Sequence, residues 1–144
     1  MAYLNFSWIL EGSLAASQGP TSRRDLTFLK LHDIAAIIRM EPETISGEAL
    51  ELVDMFEPVT DGLPPSIEQL DRMARFIEEQ VETWERPVVV TCRAGMGRTG
   101  IMCAAYQISQ GMSFEKALQV GADYGFEQPE QIALLKKFVE ERMG

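Results

Sequence analysis

Cysteine and histidine are nearly missing from this 144-residue sequence, which holds two of the first and one of the second. Cys92 and Cys103 are too few to staple a small secreted scaffold, and no repeated Cys/His spacing outlines a zinc site; both are expected as thiols. The lone His32 sits in LKLHDIAAII, where a helix should give way to a strand, and without partners it reads as structural. Positive charge is also short, with 13 Lys and Arg against 22 Asp and Glu and a net charge of −9. General attraction to nucleic acid or to an anionic membrane would work against that repulsion, so any anionic ligand must be caught by a local basic pocket. No window approaches the roughly 18 uninterrupted apolar residues of a membrane-spanning helix, and MAYLNFSW shows no basic run leading into an apolar stretch. Repeats, linkers and low-complexity tracts are lacking too. A single cytoplasmic domain over residues 1–144 is expected, monomeric, with 46% hydrophobic residues to fill one core.

What is present alternates between strand and helix signals. Leu4, Phe6, Trp8 and Leu10 alternate with polar Asn5 and Ser7, the pattern of a half-buried strand ending at Gly12. Pro20 and Ser22 introduce a short helix, with Asp25 completing a capping pattern. The continuous apolar run Ile34–Ile38 reads as a buried strand, and Leu52–Phe56 as another. EPVTDGLPP, residues 57–65, is too rich in proline and glycine for regular structure. Ser66 and Gln69 then cap a long helix whose Ile67, Leu70, Met73, Ala74, Ile77, Val81 and Trp84 keep helical spacing. Pro87 restarts the chain into the β-branched run Val88–Thr91, suited to the centre of a covered parallel sheet. A mostly apolar helix follows from Thr99 to Gln110, stopped by Gly111; Ser113 caps a short helix, and Pro129 opens a last one with Ile132, Leu135, Phe138 and Val139 as its core stripe. Trp8, Trp84 and Phe138 are expected in the core. The order predicts an α/β domain with a central, mostly parallel sheet flanked by helices.

The segment that carries chemistry is VVVTCRAGMGRTG, residues 88–100, in which an apolar strand runs through a glycine-containing loop into a helix. Inward-turned backbone N–H groups of such a loop, joined by the first turn of the helix, make a cradle for an anion. Gly95 and Gly97 let the backbone curl around a phosphate-sized ion, and Ala94 and Met96 complete the cradle. Cys92 enters this loop at its base, where a helix N-terminus and a cation both favour the nucleophilic thiolate. Arg98 supplies a planar fork able to grip two phosphate oxygens and to follow the charge into the transition state. Thr99 can donate its hydroxyl to the sulfur and make it a better leaving group. Arg93 adds attraction for phosphate at the rim. Cys103, one helical turn beyond Thr99, reads as core packing, with a redox partner for Cys92 as the alternative.

Cys, five residues, Arg, Thr in this setting resembles the signature of the protein tyrosine phosphatase superfamily, and the Walker pattern of nucleotide-binding loops is absent. Within that superfamily the loop DGLPPS, upstream of Cys92, is similar to the acid-bearing loop of the dual-specificity phosphatases. The opening NFSWILEGSLAAS resembles that of the small atypical members and their archaeal relatives, so the likeness spans nearly the whole chain. The resemblance implies a phosphatase acting on phosphorylated proteins, on phosphotyrosine and also phosphoserine or phosphothreonine, with neither metal nor other cofactor; the acidic charge argues for no nucleic acid and no membrane partner. It makes Asp61 the general acid that protonates the leaving oxygen and then activates water. Glu57 is the competing carboxylate, outside the DxxPP context. GFEQPEQ resembles a family segment ending in Gln before the last helix, which makes Gln131 a candidate for positioning water; the alternative for Gln131 is a solvent-facing helix residue. Two features depart from the family. Thr91 stands where a His usually precedes the nucleophile, which predicts an activity optimum shifted upward in pH, and Gly121–Phe126 lacks the usual Arg-Pro-Gly. Other readings of the same loop are phosphoinositide or RNA 5′-phosphate hydrolysis and a phosphate-binding module that has lost catalysis. Lipid phosphatases with related loops carry two basic loop residues, whereas here Arg93 is matched only by neutral Met96.

Overall fold

Among the described residues, five strands form one sheet in the order β1-β2-β5-β3-β4, with β1 Ser7–Leu10, β2 Leu14–Gln18, β3 Ala36–Arg39, β4 Val53–Phe56 and β5 Val88–Cys92. β1 and β2 are an antiparallel hairpin; every other pairing is parallel. The helices are α1 Arg23–Leu31, α2 Ile67–Glu78, α3 Arg98–Ser109, α4 Phe114–Ala122 and α5 Pro129–Met143. This computed structural model describes residues 2–60, 63–93, 98–123 and 129–143. The α/β architecture read from the sequence is the one observed, and no helix among the described residues is long and apolar enough to cross a membrane.

Side chains of β5 alternate between two cores, as the period of a strand requires. Val89 joins Ala15 and Ile37 in a core covered by Leu26 and Leu29 of α1. Val88 and Val90 join Leu14 and Ile38 in a larger one, filled by Leu70, Met73 and Ile77 of α2, Ile101 and Met102 of α3, and Leu135 and Phe138 of α5. α3 packs against β5, α2, α4 and α5 at once, which is why its sequence leaves almost no polar face: every residue from Arg98 to Ile108 is buried. His32 closes α1, its Nδ1 lying 2.9 Å from the carbonyl of Phe28 and its ring 4.2 Å from that of Phe28, the structural part expected of it.

Three expectations need correction. The alternating run from Leu4 is a strand only from Ser7, because Leu4 and Asn5 take left-handed backbone (φ 54 and 52) in a short 3-10 turn. A bulge between Trp8 and Leu10 then changes the register, so Leu10 packs on the opposite face from Phe6 and Trp8. Second, β2 was not expected: LAASQ lacks the β-branched and aromatic residues that announce a strand, yet its first four residues are buried between β1 and β5. Third, Trp84 is 54% exposed, with the Arg86 guanidinium 5.3 Å above its ring, not in the core. α2 ends in a π-helical turn, Glu79–Thr83, and the extra residue rotates everything after it by about a quarter turn. Gln80 is carried inward by that turn and Trp84 outward.

Candidate active site

The ends of three parallel strands converge at one edge of the sheet. Gly19, just beyond β2, donates its N–H to the carbonyl of Cys92 at 3.1 Å, and Met40, just beyond β3, donates to the carbonyl of Thr91 at 3.1 Å. A crevice at the C-terminal ends of parallel strands is where α/β sheets hold ligands. Cys92 ends β5 there with only 1% of its surface exposed, and the first turn of α3 follows the loop.

Of the residues singled out from the sequence, the structure brings Cys92, Thr99 and Arg98 together. The Thr99 hydroxyl donates to Cys92 Sγ at 3.1 Å, a charge-assisted bond if the sulfur is ionised. Thr91 turns the other way: its hydroxyl donates to the carbonyl of Ile38 at 2.9 Å and ties β5 to β3. Arg98 is 4% exposed. Its guanidinium donates through Nη1 to the carbonyls of Val59 and, at 3.3 Å, Met40, and through Nη2 to Glu41 Oε2 at 2.9 Å. Arg93 projects outward, its side chain 66% exposed, with Nη2 3.6 Å from Glu41 Oε1. Gln131, in the first turn of α5, is 8% exposed, which corrects its reading as a solvent-facing residue. Asp61, Ala94, Gly95, Met96 and Gly97 lie outside the described residues, as does the second half of Gly121–Phe126, residues 124–126.

Glu57, the rival carboxylate, is committed elsewhere. Arg72 donates to it twice, at 2.9 and 3.0 Å, and Gln69 Nε2 lies 3.2 Å away. The Arg72 hydrogen bond, opposed by partial burial and aided by Gln69, holds the Glu57 carboxyl below its ordinary range. A carboxylate locked ionised in this way is a poor proton donor. Cys103 is buried to 1% exposure. Burial first, and the nearby Cys92 second, push its thiol far above the ordinary value, the condition of an inert core cysteine.

Sequence reasoning missed Glu41. Its carboxylate bridges Arg98 and Arg93, one oxygen to each. The available signal was its place: a carboxylate two residues after a buried strand of a parallel sheet, at the edge where sites form. A network fixes it. Thr44 donates its hydroxyl to the carbonyl of Glu41 at 2.7 Å, and Arg39 Nη1 donates to that hydroxyl at 3.1 Å. Arg39 in turn is paired with Asp54 through two hydrogen bonds of 2.8 Å, and Asp54 also accepts from the Gly47 N–H at 2.8 Å.

Comparison with known proteins fits this geometry. Dual specificity protein phosphatase CDC14A of Homo sapiens is 28% identical over 120 residues, 71% of this chain and 19% of that protein. The Arabidopsis thaliana protein named phosphatidylinositol 3,4,5-trisphosphate 3-phosphatase and protein-tyrosine-phosphatase PTEN1 is 33% identical over 98 residues, 65% of this chain and 22% of its own length. The chain thus spans about a fifth of the curated relatives it matches. The crystal structure of Tk-PTP in the active form superposes with a TM-score of 0.81 at 28% identity, covering 96% of this chain and 99% of that one. The model of the family described as PTP-SAK, Swiss Army Knife protein, DSP-PTPase phosphatase domain, matches residues 4–141. With nearly its whole length accounted for, the chain belongs to that family of cysteine-based phosphatases, as an atypical dual-specificity phosphatase domain.

Proposed function

We infer that the protein hydrolyses phosphate monoesters of proteins, phosphotyrosine first and phosphoserine or phosphothreonine besides, through a phosphocysteine on Cys92. In the first step the Cys92 thiolate forms a bond to phosphorus as the phosphorus–oxygen ester bond breaks. Asp61 gives its proton to the departing oxygen. In the second step Asp61 takes a proton from water, whose oxygen bonds to phosphorus while the phosphorus–sulfur bond breaks and Thr99 stabilises the leaving thiolate. Arg98 and the backbone N–H groups of residues 93–97 hold the phosphoryl oxygens throughout.

One observation carries this reading: a hydroxyl aimed at a buried cysteine sulfur at 3.1 Å, at the foot of a helix that opens with a buried arginine. A leaving thiolate needs such a donor, and Thr99 supplies it. The bonds of Val59 to Arg98 and of its N–H to the carbonyl of Met40 hold the described end of this loop at the site, which supports Asp61, two residues on in the sequence, as the acid. The commitment of Glu57 to Arg72 weighs against that competitor. The burial of Gln131 supports it as the side chain that positions water. A second reading, phosphoinositide hydrolysis, is favoured by the likeness to a protein whose name joins lipid and tyrosine phosphatase.

Hydrolysis of a small aryl phosphate in excess chelator, followed in wild type, Cys92→Ser, Arg98→Ala and Asp61→Asn, tests the proposal. Turnover in wild type, none with Cys92→Ser or Arg98→Ala, and a fall of about a hundredfold or more with Asp61→Asn are expected. Tight phosphate binding without turnover would leave a recognition module instead. Panels of phosphopeptides and phosphoinositides then rank the substrates.

A further inference from the structure

We propose that Glu41 is a specificity-determining residue that spends the positive charge of the catalytic loop and so turns the site toward esters carrying a single phosphate. The proposal rests on the phosphatase reading and asks which phosphate esters the site admits. The loop brings two cations to its mouth, Arg93 and Arg98. A site for polyphosphorylated substrates needs the second cation available to meet the second phosphate. Here the same carboxylate engages both, at 2.9 Å on Arg98 and 3.6 Å on Arg93.

Glu41 is not a loose rim residue that an incoming anion can brush aside. Its side chain is 14% exposed, and its backbone is held by the Thr44, Arg39 and Asp54 network. The space beside the loop has the same bias. A cleft of about 200 Å³ is lined by Gly19, Thr21, Glu41, Glu43, Thr44 and Arg93. A second phosphate entering it would face two carboxylates and one cation that is already paired. The internal segments outside the described residues cannot redress the balance, because 61–62, 94–97 and 124–128 contain Asp61 and Glu127 and neither Lys nor Arg. A lone phosphate ester escapes this penalty, because it has no second phosphate to place beside Glu41 and Glu43.

The test compares a monophosphate with a polyphosphate on the same protein. kcat/KM is measured for an aryl phosphate and for a soluble inositol tetrakisphosphate with wild type, Glu41→Gln, Arg93→Ala and the double variant. Glu41→Gln keeps the shape and, through its one carbonyl oxygen, the hydrogen bond from Arg98, while removing the charge and the second oxygen that faces Arg93. It should lower kcat on both substrates by loosening Arg98, yet raise the tetrakisphosphate-to-aryl-phosphate ratio by about tenfold. Adding Arg93→Ala to it should cancel the gain. Arg93→Ala alone should move the ratio less than about twofold, since that charge is already spent. An unchanged ratio in Glu41→Gln, a gain that survives loss of Arg93, or a tenfold selective loss in Arg93→Ala alone overturns the proposal. Calorimetric binding of orthophosphate and of the tetrakisphosphate to Cys92→Ser, with and without Glu41→Gln, reads the same preference without turnover. Failure of the phosphatase reading, seen as absent aryl phosphate hydrolysis in wild type, is thereby separated from failure of the charge argument.

Discussion

Two threonines flank Cys92 in the site, and they do different work. Thr91 braces the strand through the carbonyl of Ile38, while Thr99 addresses the sulfur. Replacing Thr99 with Ala should therefore leave the first chemical step nearly intact and slow the second by about tenfold, since one hydrogen bond to a developing thiolate is lost. Rapid-quench kinetics would show a burst of the aryl alcohol followed by slow turnover, and Thr99→Ser should restore the steady rate. A burst-free, uniformly slow Thr99→Ala would place the hydroxyl elsewhere in the cycle. Cys103 should be silent. Its burial, with the charge of Cys92 added, holds its thiol protonated at neutral pH, so iodoacetamide should modify one cysteine in the native protein and two after unfolding. Mass spectrometry counts them, and a native protein alkylated at Cys103 would contradict the core assignment. Glu57 gives a pH signature. Its carboxyl is depressed by Arg72, so it contributes stability above its unfolded value, and that contribution is lost as pH falls through the folded one. Glu57→Gln should lower Tm at neutral pH and converge with wild type in acid. A Tm gap that widens in acid would reverse the sign.

At the scale of elements, what could be read from the sequence was whatever carried a period or a cap. The spacing of apolar residues announced α2, and its capping box forms as expected, Ser66 accepting from the Gln69 N–H at 3.1 Å and Gln69 answering at 2.9 Å. Ser66→Ala should cost about 1 kcal/mol in chemical denaturation; no change would show that α2 is held by packing alone. The π turn after it left no trace in composition, and Trp84 was misplaced for that reason. β2 was hidden because alanines can fill a central strand once neighbours on both sides supply the bulk. The segment after β3 shows how tightly elements hold the site. A Cβ on Gly19 would come within 2.5 Å of Thr44 Cγ2, and Thr44 is pinned by Arg39 and by the carbonyl of Glu41. Gly19→Ala should destabilise the protein by about 1–3 kcal/mol. Adding Thr44→Ser, which keeps the hydroxyl and removes the clashing methyl, should restore most of it. A Gly19→Ala protein as stable as wild type would mean that the Thr44 segment yields.

For the whole molecule, the sheet order is what makes a site out of distant text. Placing β3 and β2 on either side of β5 brings Met40 and Gly19 onto the backbone of Thr91 and Cys92. Glu41 thereby meets Arg98 across 57 positions of sequence. The strand end at Cys92 and the helix start at Arg98 and Thr99 were legible, since they lie close together in the sequence. Glu41 was not, because its place after β3 was its one mark and its partners, Arg93 and Arg98, follow β5 more than fifty positions later. The same long-range convergence couples substrate choice to stability, as the network that fixes Glu41 also ties β3 to β4 through Arg39 and Asp54. All of this turns on the sulfur of Cys92 becoming phosphorylated and released in each cycle. The direct measurement is acid quench of the enzyme during turnover of an aryl phosphate, followed by mass spectrometry of the fragment spanning β5 and the loop. The account predicts one phosphoryl group on Cys92, more abundant in Thr99→Ala and absent in Cys92→Ser. Steady hydrolysis with no phosphorus on that residue, or hydrolysis undiminished in Cys92→Ser, would contradict it.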